Sequence, residues 1–468
     1  MGYTGPSVHH FREVRTTGNS LNAGCFINND LEGWSSVGVD RSQADAPYMV
    51  SGVSGFTATT VAGSGWGYQK SLTITGHTVS SDDIGNFVLV SSTPESDIHT
   101  GLFCIDNINV VGSNTWHMTQ IIRENTLGSS TYEVTCRMGG AWPNLGFMET
   151  VDGRNDWECS ATYIKSGTYA LTTTSANTDG GPFQKGEWNT PCVVVGYYSS
   201  RNDKGAGGRP LLTVGSTGYT GTMLSFRGYR SSAFENIEID GDGTATIGCR
   251  GYGYPTGRFV NCKVTNLNTS SGKAFEGDGV CLSCEASGGG KYGFYEIGAA
   301  RCVAHGVDQG FFNSKNNVTS SLAYDVTTGF SSPNNYVQGT GNTADDCTTG
   351  FSYAGILANC LASNCTTGFD WLAAGAGLIG CGVYNNTTNV DADNATNLNP
   401  IVCSSDPYED QSARDYRLNS SATGGALLAG EGYSIPGQTD YRDVGGVLTE
   451  PSGGGSSVIP ARPIQIGA

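Results

Sequence analysis

The chain has 468 residues, 69 of them Gly, with 14% charged and 10% aromatic. That mix suits a turn-dense β protein with enough apolar material for a core, not a disordered one. A net charge of −17 argues against a nucleic-acid-binding surface, which needs clustered Lys and Arg to neutralise phosphates.

The chain opens Met1-Gly-Tyr-Thr-Gly-Pro6, with no basic segment leading into an apolar run. No secretory signal or membrane span is therefore expected. Residues 1–150 show no repeat and read as a β-rich attachment or capping region. Strand-like runs stand at Ser71-Leu-Thr-Ile-Thr75, Asn86-Phe-Val-Leu-Val90 and Ile105-Asp-Asn-Ile-Asn-Val-Val111. Ser81-Asp-Asp-Ile-Gly85 reads as a turn or single helical turn before a strand. From about residue 160 a rod begins, with strands predicted at Ala161–Leu171, Cys192–Tyr198 and Pro210–Val214.

The second half carries a ladder of Gly-Phe pairs at Gly293-Phe294, Gly310-Phe311, Gly329-Phe330, Gly350-Phe351 and Gly368-Phe369, in steps of 17, 19, 21 and 18 residues. A period near twenty residues means a solenoid. A propeller blade needs roughly twice that length, and Leu columns with an Asn are missing. The period therefore predicts an all-β fold, a parallel β-helix over residues 151–400.

Each coil should add one inward residue to each stack, about 4.8 Å from the last. One stack runs Ile237, Cys262, Cys284, Cys302, Ser321, Asn342, Cys360 and Cys381. Another holds Phe275 and the five Phe of the ladder. The residue after each small one should face outward, which makes Val303, Leu322 and Leu361 a partly apolar outer stripe. Two readings remain open for it: a stripe covered by a loop, or a subunit interface. Between the landmarks lie polar turns such as Asp325-Val-Thr-Thr-Gly329.

The period breaks after 400. Residues 401–450 read as a cap, because a bare final coil would offer free strand edges. Pro451-Ser-Gly-Gly-Gly-Ser-Ser457 reads as a linker to an extended apolar tip, Val458-Ile-Pro-Ala-Arg-Pro-Ile-Gln-Ile466. The 15 cysteines follow the coil spacing and read as reduced small hydrophobes. Alternation puts Cys281 and Cys284 on opposite faces of one strand, which is wrong for zinc. Asp240-Gly-Asp-Gly243 lacks the distal ligands of a calcium loop and reads as a tight turn. No metal or cofactor is expected.

Several segments bring a family into view. Glu13-Val-Arg-Thr-Thr-Gly-Asn19, Gly24-Cys-Phe26, Asp40-Arg-Ser-Gln-Ala-Asp-Ala46 and Asp83-Ile-Gly-Asn86 resemble the N-terminal part of β-helix structural proteins of tailed phages. Ile164-Lys-Ser-Gly-Thr-Tyr-Ala-Leu171 is similar to the entry strand of right-handed parallel β-helix proteins, pectate-lyase-like ones and tailspikes among them. Asp415-Tyr-Arg-Leu418 and Asp443-Val-Gly-Gly446 resemble the segment that closes such helices. The resemblance implies a right-handed helix, a virion location after assembly in the host cytoplasm, other virion proteins as partners, and a homo-oligomer, often a trimer.

Hydrolysis on such a scaffold needs two carboxylates about 5–9.5 Å apart, hence acids at matching outward positions of neighbouring coils. The positions after the column Phe are Glu276, Tyr295, Phe312, Ser331, Ser352 and Asp370, with acids only at opposite ends. The positions after the column Ala hold one acid, Asp345. The best remaining catalytic cluster is Glu276 and Asp278 with His305 and Asp308. Tyr353 and Trp371 are candidates for stacking on a host surface glycan. The chain thus reads as a non-enzymatic tailspike, fibre or decoration protein. The alternatives are a polysaccharide lyase or hydrolase on the same fold, and a filament-forming bacterial surface protein.

Overall fold

The computed structural model describes residues 10–17, 25–27, 39–44, 49–57, 69–73, 80–92, 101–108, 115–119 and 131–141. It also describes 159–429, apart from 172–191, 204–206, 216–219, 228–231, 253–256, 314–316, 333–338, 354, 372–376 and 392–399. The linker and apolar tip named above lie outside the described residues.

A parallel β-helix forms the body. Its walls are one sheet of twelve strands and one of eighteen. Successive coils pair in parallel with little slip, as in Phe275↔Phe294, Phe294↔Phe311, Phe311↔Phe330, Phe330↔Phe351 and Phe351↔Phe369. Among the described residues, helix is confined to one α-turn, Gly425–Leu428, and two 3-10 turns. One of these, Ser81–Asp83, precedes the strand Phe87–Ser92.

Corners are set by single residues in the left-handed region. Asn236, Asn261, Ser283, Arg301, Ser320 and Asn359 have φ between 50° and 58°, and each stands immediately before the small inward column. A second corner uses Asn266, Asp325, Asp346, Asn364 and Asn385. Asn and Asp tolerate this conformation because their short polar side chains bond locally. The polar turn expected after Asp325 is therefore a one-residue bend: the strand Leu322–Ser332 runs through it and buries Val326.

The same corner corrects the geometry expected at Cys281 and Cys284. Ser283, at φ 54°, turns the chain between them, so both cysteines point inward and are buried. Simple alternation does not survive a left-handed residue.

The ladder builds the core. Phe294 stacks on Phe311 at 4.6 Å and Phe311 on Phe330 at 4.7 Å between centroids, nearly parallel. Gly stands before each ring because there is no room for more: a Cβ at Gly329 would lie 2.6 Å from the Gly350 carbonyl and 3.2 Å from Ala344 Cβ. Ser321 and Asn342 interrupt the cysteine column without loss. Asn342 Nδ2 donates to Val318 O at 2.9 Å, and Asn342 Oδ1 accepts from Ser321 N at 3.0 Å, which offsets the cost of burying an amide.

The strand His10–Val14 belongs to the rod, since it pairs in parallel with Cys159–Lys165. The rod therefore starts inside the region 1–150 that the repeat leaves out. Between those two rungs sits a six-stranded antiparallel sheet, ordered Met49–Thr57, Thr131–Met138, Phe87–Ser92, Gly101–Ile108, Thr115–Thr119, Gln69–Thr73. Buried Asn86 binds its edge loop: Oδ1 accepts from Arg41 N at 2.9 Å and Nδ2 donates to Val39 O at 2.8 Å. Asp40 then pairs with Arg201 of the rod at 2.8 Å.

Phe330→Ala removes the middle ring of a stack that cannot collapse. It should cost about 3–5 kcal/mol, read as a lower urea midpoint. Burial pushes the Cys249, Cys262, Cys281 and Cys360 thiols well above their ordinary range. Those four should resist a thiol reagent in the native protein and react in urea, counted by mass spectrometry.

Candidate functional site

Two outward columns run side by side along the eighteen-stranded sheet. The first passes through Arg250, Glu276, Tyr295 and Phe312, and then Ser331, Ser352, Asp370 and Asp391. The second passes through Lys273, Tyr292 and Gln309, and then Thr328, Thr349, Thr367 and Thr388. The inward Phe stack lies behind them, so the strip is as straight as the core.

At one end the strip becomes an aromatic patch. Tyr292 lies 4.8 Å from Tyr295 and 5.0 Å from Phe312, and Tyr295 lies 5.5 Å from Phe312 in a stacked pair. All three rings are half-buried. Lys273 Nζ sits 3.8 Å above the Tyr295 ring and also bridges to Glu276 Oε1. Arg250 Nε lies 3.0 Å from Glu276 Oε2, though its N–H is not aimed to make a hydrogen bond there. Burial and the neighbouring Glu296 raise the Tyr295 phenol above its ordinary value. Apolar ring faces beside fixed charges suit a ligand with both C–H faces and hydroxyls.

The structure separates the catalytic cluster read from sequence. Glu276 serves Lys273 and Arg250 in one column. His305 lies in another, stacked on Tyr324 at 4.7 Å and 3.3 Å from Glu285 Oε1. Asp278 is half-buried, and Asp308 is exposed in the turn after His305. The aromatic candidates Tyr353 and Trp371 are register partners on adjacent strands; their side chains lie outside the described residues.

The sequence reading stopped the first column at Asp370 because Phe369 is the last Phe. Val390 continues the stack, so Asp391 stands in register with Asp370, and two acids occupy neighbouring coils. Reading the inward column as apolar rather than as Phe would have found this pair.

The outer stripe is covered within the chain. Leu322 and Leu361 are buried with Cys403, Tyr408, Tyr416 and Leu428, and Val303 packs against them. These side chains are therefore not free to form the subunit interface that was one of the two readings for them. Asp345, fully buried, holds the cover down. Its carboxylate accepts from Ser363 Oγ at 2.7 Å, Asn364 Nδ2 at 2.9 Å, Gln411 Nε2 at 2.7 Å and Tyr416 OH at 3.0 Å. Burial first, and Asp345 second, push the Tyr408 and Tyr416 phenols up. Arg414, in the left-handed region at φ 64°, lies 4.2 Å over the Tyr324 ring.

No protein-family model and no curated protein matches the chain. Among solved structures, two point variants of the catalytic domain of a GH87 alpha-1,3-glucanase, each in complex with nigerose, are similar to it. Each match covers 76% of this chain and 99% of that domain at 12% identity, with TM-scores of 0.26 and 0.27. These values give no correspondence between individual residues. No described helix is long and apolar enough to cross a membrane.

The His305 hydrogen bond first, and then Lys263, hold the Glu285 carboxyl down at about 2. A depressed carboxylate stabilises the fold above its unfolded value and loses that contribution as pH falls through its folded one. Glu285→Gln should therefore lower the urea midpoint at pH 6. The gap from the parent should close between pH 4.5 and about 2.

Proposed function

We propose that this protein is a non-enzymatic structural component of a phage-like virion that presents its β-helix flank to a host surface glycan. The observation that carries the glycan part is the patch of Tyr292, Tyr295 and Phe312, held half-open beside Lys273, Glu276 and Arg250. Aromatic faces stack on the C–H faces of sugar rings, and the charged side chains supply hydrogen bonds to hydroxyls. The polar strip of Thr and Ser below the patch runs parallel to the rod, so an extended chain has room to lie along it. The virion part is supported by the segments around Glu13, Asp40 and Asp83 that resemble tailed-phage β-helix proteins.

A second reading rests on Asp370 and Asp391. Neighbouring coils stand about 4.8 Å apart, close to the separation of about 5–5.5 Å that retaining glycosidases place between their two carboxylates. That spacing favours a depolymerase in which one acid protonates the leaving oxygen and the other attacks.

One panel of bacterial surface polysaccharides separates the two. Binding without product, weakened roughly two- to tenfold by Phe312→Ala in line with the stacking energy of one ring, is the result expected of the adhesive rod. Release of oligosaccharides that Asp370→Asn and Asp391→Asn each abolish would replace it with the depolymerase. Undiminished binding by Phe312→Ala would remove the patch from the site.

A further inference from the structure

A bare ring face accepts most pyranoses alike, so which sugar is held depends on the polar atoms set beside the rings. Lys273 is committed to Glu276 and to the Tyr295 ring. Arg250 stands against the same carboxylate at 3.0 Å. Those three are tied to one another. Of the residues in the two outward columns, Gln309 is the one amide.

The strand Gln309–Phe312 buries its two middle residues and turns its first and last outward. The same two positions one coil earlier hold Tyr292 and Tyr295, whose rings meet at 4.8 Å. Side chains at these positions therefore converge across the strip. That sets Gln309 beside Phe312, between Tyr292 and Thr328 in register. Its backbone is fixed, with the N–H donating to Lys291 O at 2.9 Å. The residue is half-buried. Among the described residues nothing hydrogen-bonds its amide, nor the hydroxyls of Thr328 and Ser331 one coil on.

Resting on the glycan reading above, we propose that Gln309 is the specificity-determining residue of the patch, and that the sugar it holds is a neutral pyranose. The amide carries a donor and an acceptor side by side in one plane. Two neighbouring hydroxyls of a ring stacked on Phe312 satisfy both, one accepting from Nε2 and the other donating to Oε1. Inverting either carbon swings its hydroxyl away and leaves one side of the amide unpaired, which a site built on hydrogen bonds rejects. A carboxylate only accepts, so a uronate group there would set an anion against Oε1. Lys291, 5.3 Å over the Tyr292 ring, has no acid on it among the described residues. It is the residue through which an acidic sugar would be held instead.

The test is a glycan array that carries matched oligomers of glucose, galactose and mannose, with glucuronate and galacturonate oligomers beside them, probed with the full-length protein. One neutral epimer should bind about tenfold or more over the other two and over the uronates, the cost of leaving one amide group unpaired. Gln309→Met keeps the length of the side chain and removes both hydrogen-bonding groups. It should bring the three epimers within about twofold of one another, with the urea midpoint of the parent, so that a lost ratio reports recognition and not folding. Phe312→Ala should weaken all three and keep their ratio. A ratio unchanged by Gln309→Met overturns the proposal, as does equal binding of the three epimers by the parent. A preference for the uronates, which Lys291→Gln would then abolish, also overturns it. Each of these results leaves the patch a glycan site. Binding to no oligomer, or binding indifferent to Phe312→Ala, removes the glycan reading and the proposal with it.

Discussion

Everything in this molecule hangs on the register between coils. Parallel backbone hydrogen bonds place each residue directly over its counterpart one turn earlier. A side chain therefore meets its own kind above and below, and the columns must be self-compatible. Phe stacks on Phe at 4.6–5.0 Å along the ladder. Cysteine thiols lie over backbone carbonyls, as Cys302 Sγ does over Cys281 O at 3.4 Å. A register slip would misplace all of these at once, which makes the rod stiff in the direction that matters for presenting a surface.

That stiffness depends on one left-handed residue per corner. The corner fixes where the strand ends and the next face begins, and Asn, Asp, Ser or Gly supplies it in nearly every coil. Arg301 and Glu296 are the unusual members, long side chains held at φ 56° and 53°. The corner also explains why the outward column is straight from Phe312 to Asp391: each member stands the same distance past its bend, at Gly306, Asp325, Asp346, Asn364 or Asn385. A flank built this way can set an aromatic patch, a polar strip and a pair of acids in line without any loop to position them.

The closing segment shows the other side of the same logic. A column that turns apolar on the outside, as Leu322 and Leu361 do, needs a cover, and the hairpin Tyr408–Asp410 with Asp415–Leu418 supplies one. A buried carboxylate is costly unless its oxygens are bonded. Asp345 has four side chains donating to it, two from the rod and two from the cover. The cost of burying it is thereby turned into a specific docking position for the hairpin.

The sequence by itself determined the repeat, and through it the fold class, the two inward columns and the outward positions beside them. Gly-Phe spacing is local information, and the coil simply copies it upward. Three things were decided only by the tertiary structure. Ser283 gives no sign in the sequence that its left-handed φ brings Cys281 and Cys284 to the same inward side. Leu322 and Leu361 read equally as interface or as covered core until the closing hairpin, about fifty to ninety residues away, is seen to lie on them. Asp391 was hidden because Val390 replaces Phe in the stack, a substitution that breaks the written motif while keeping the physical one. Periodic contacts are legible because each rung repeats the same short-range rule; contacts between the rod and what folds back on it occur once, and no period announces them.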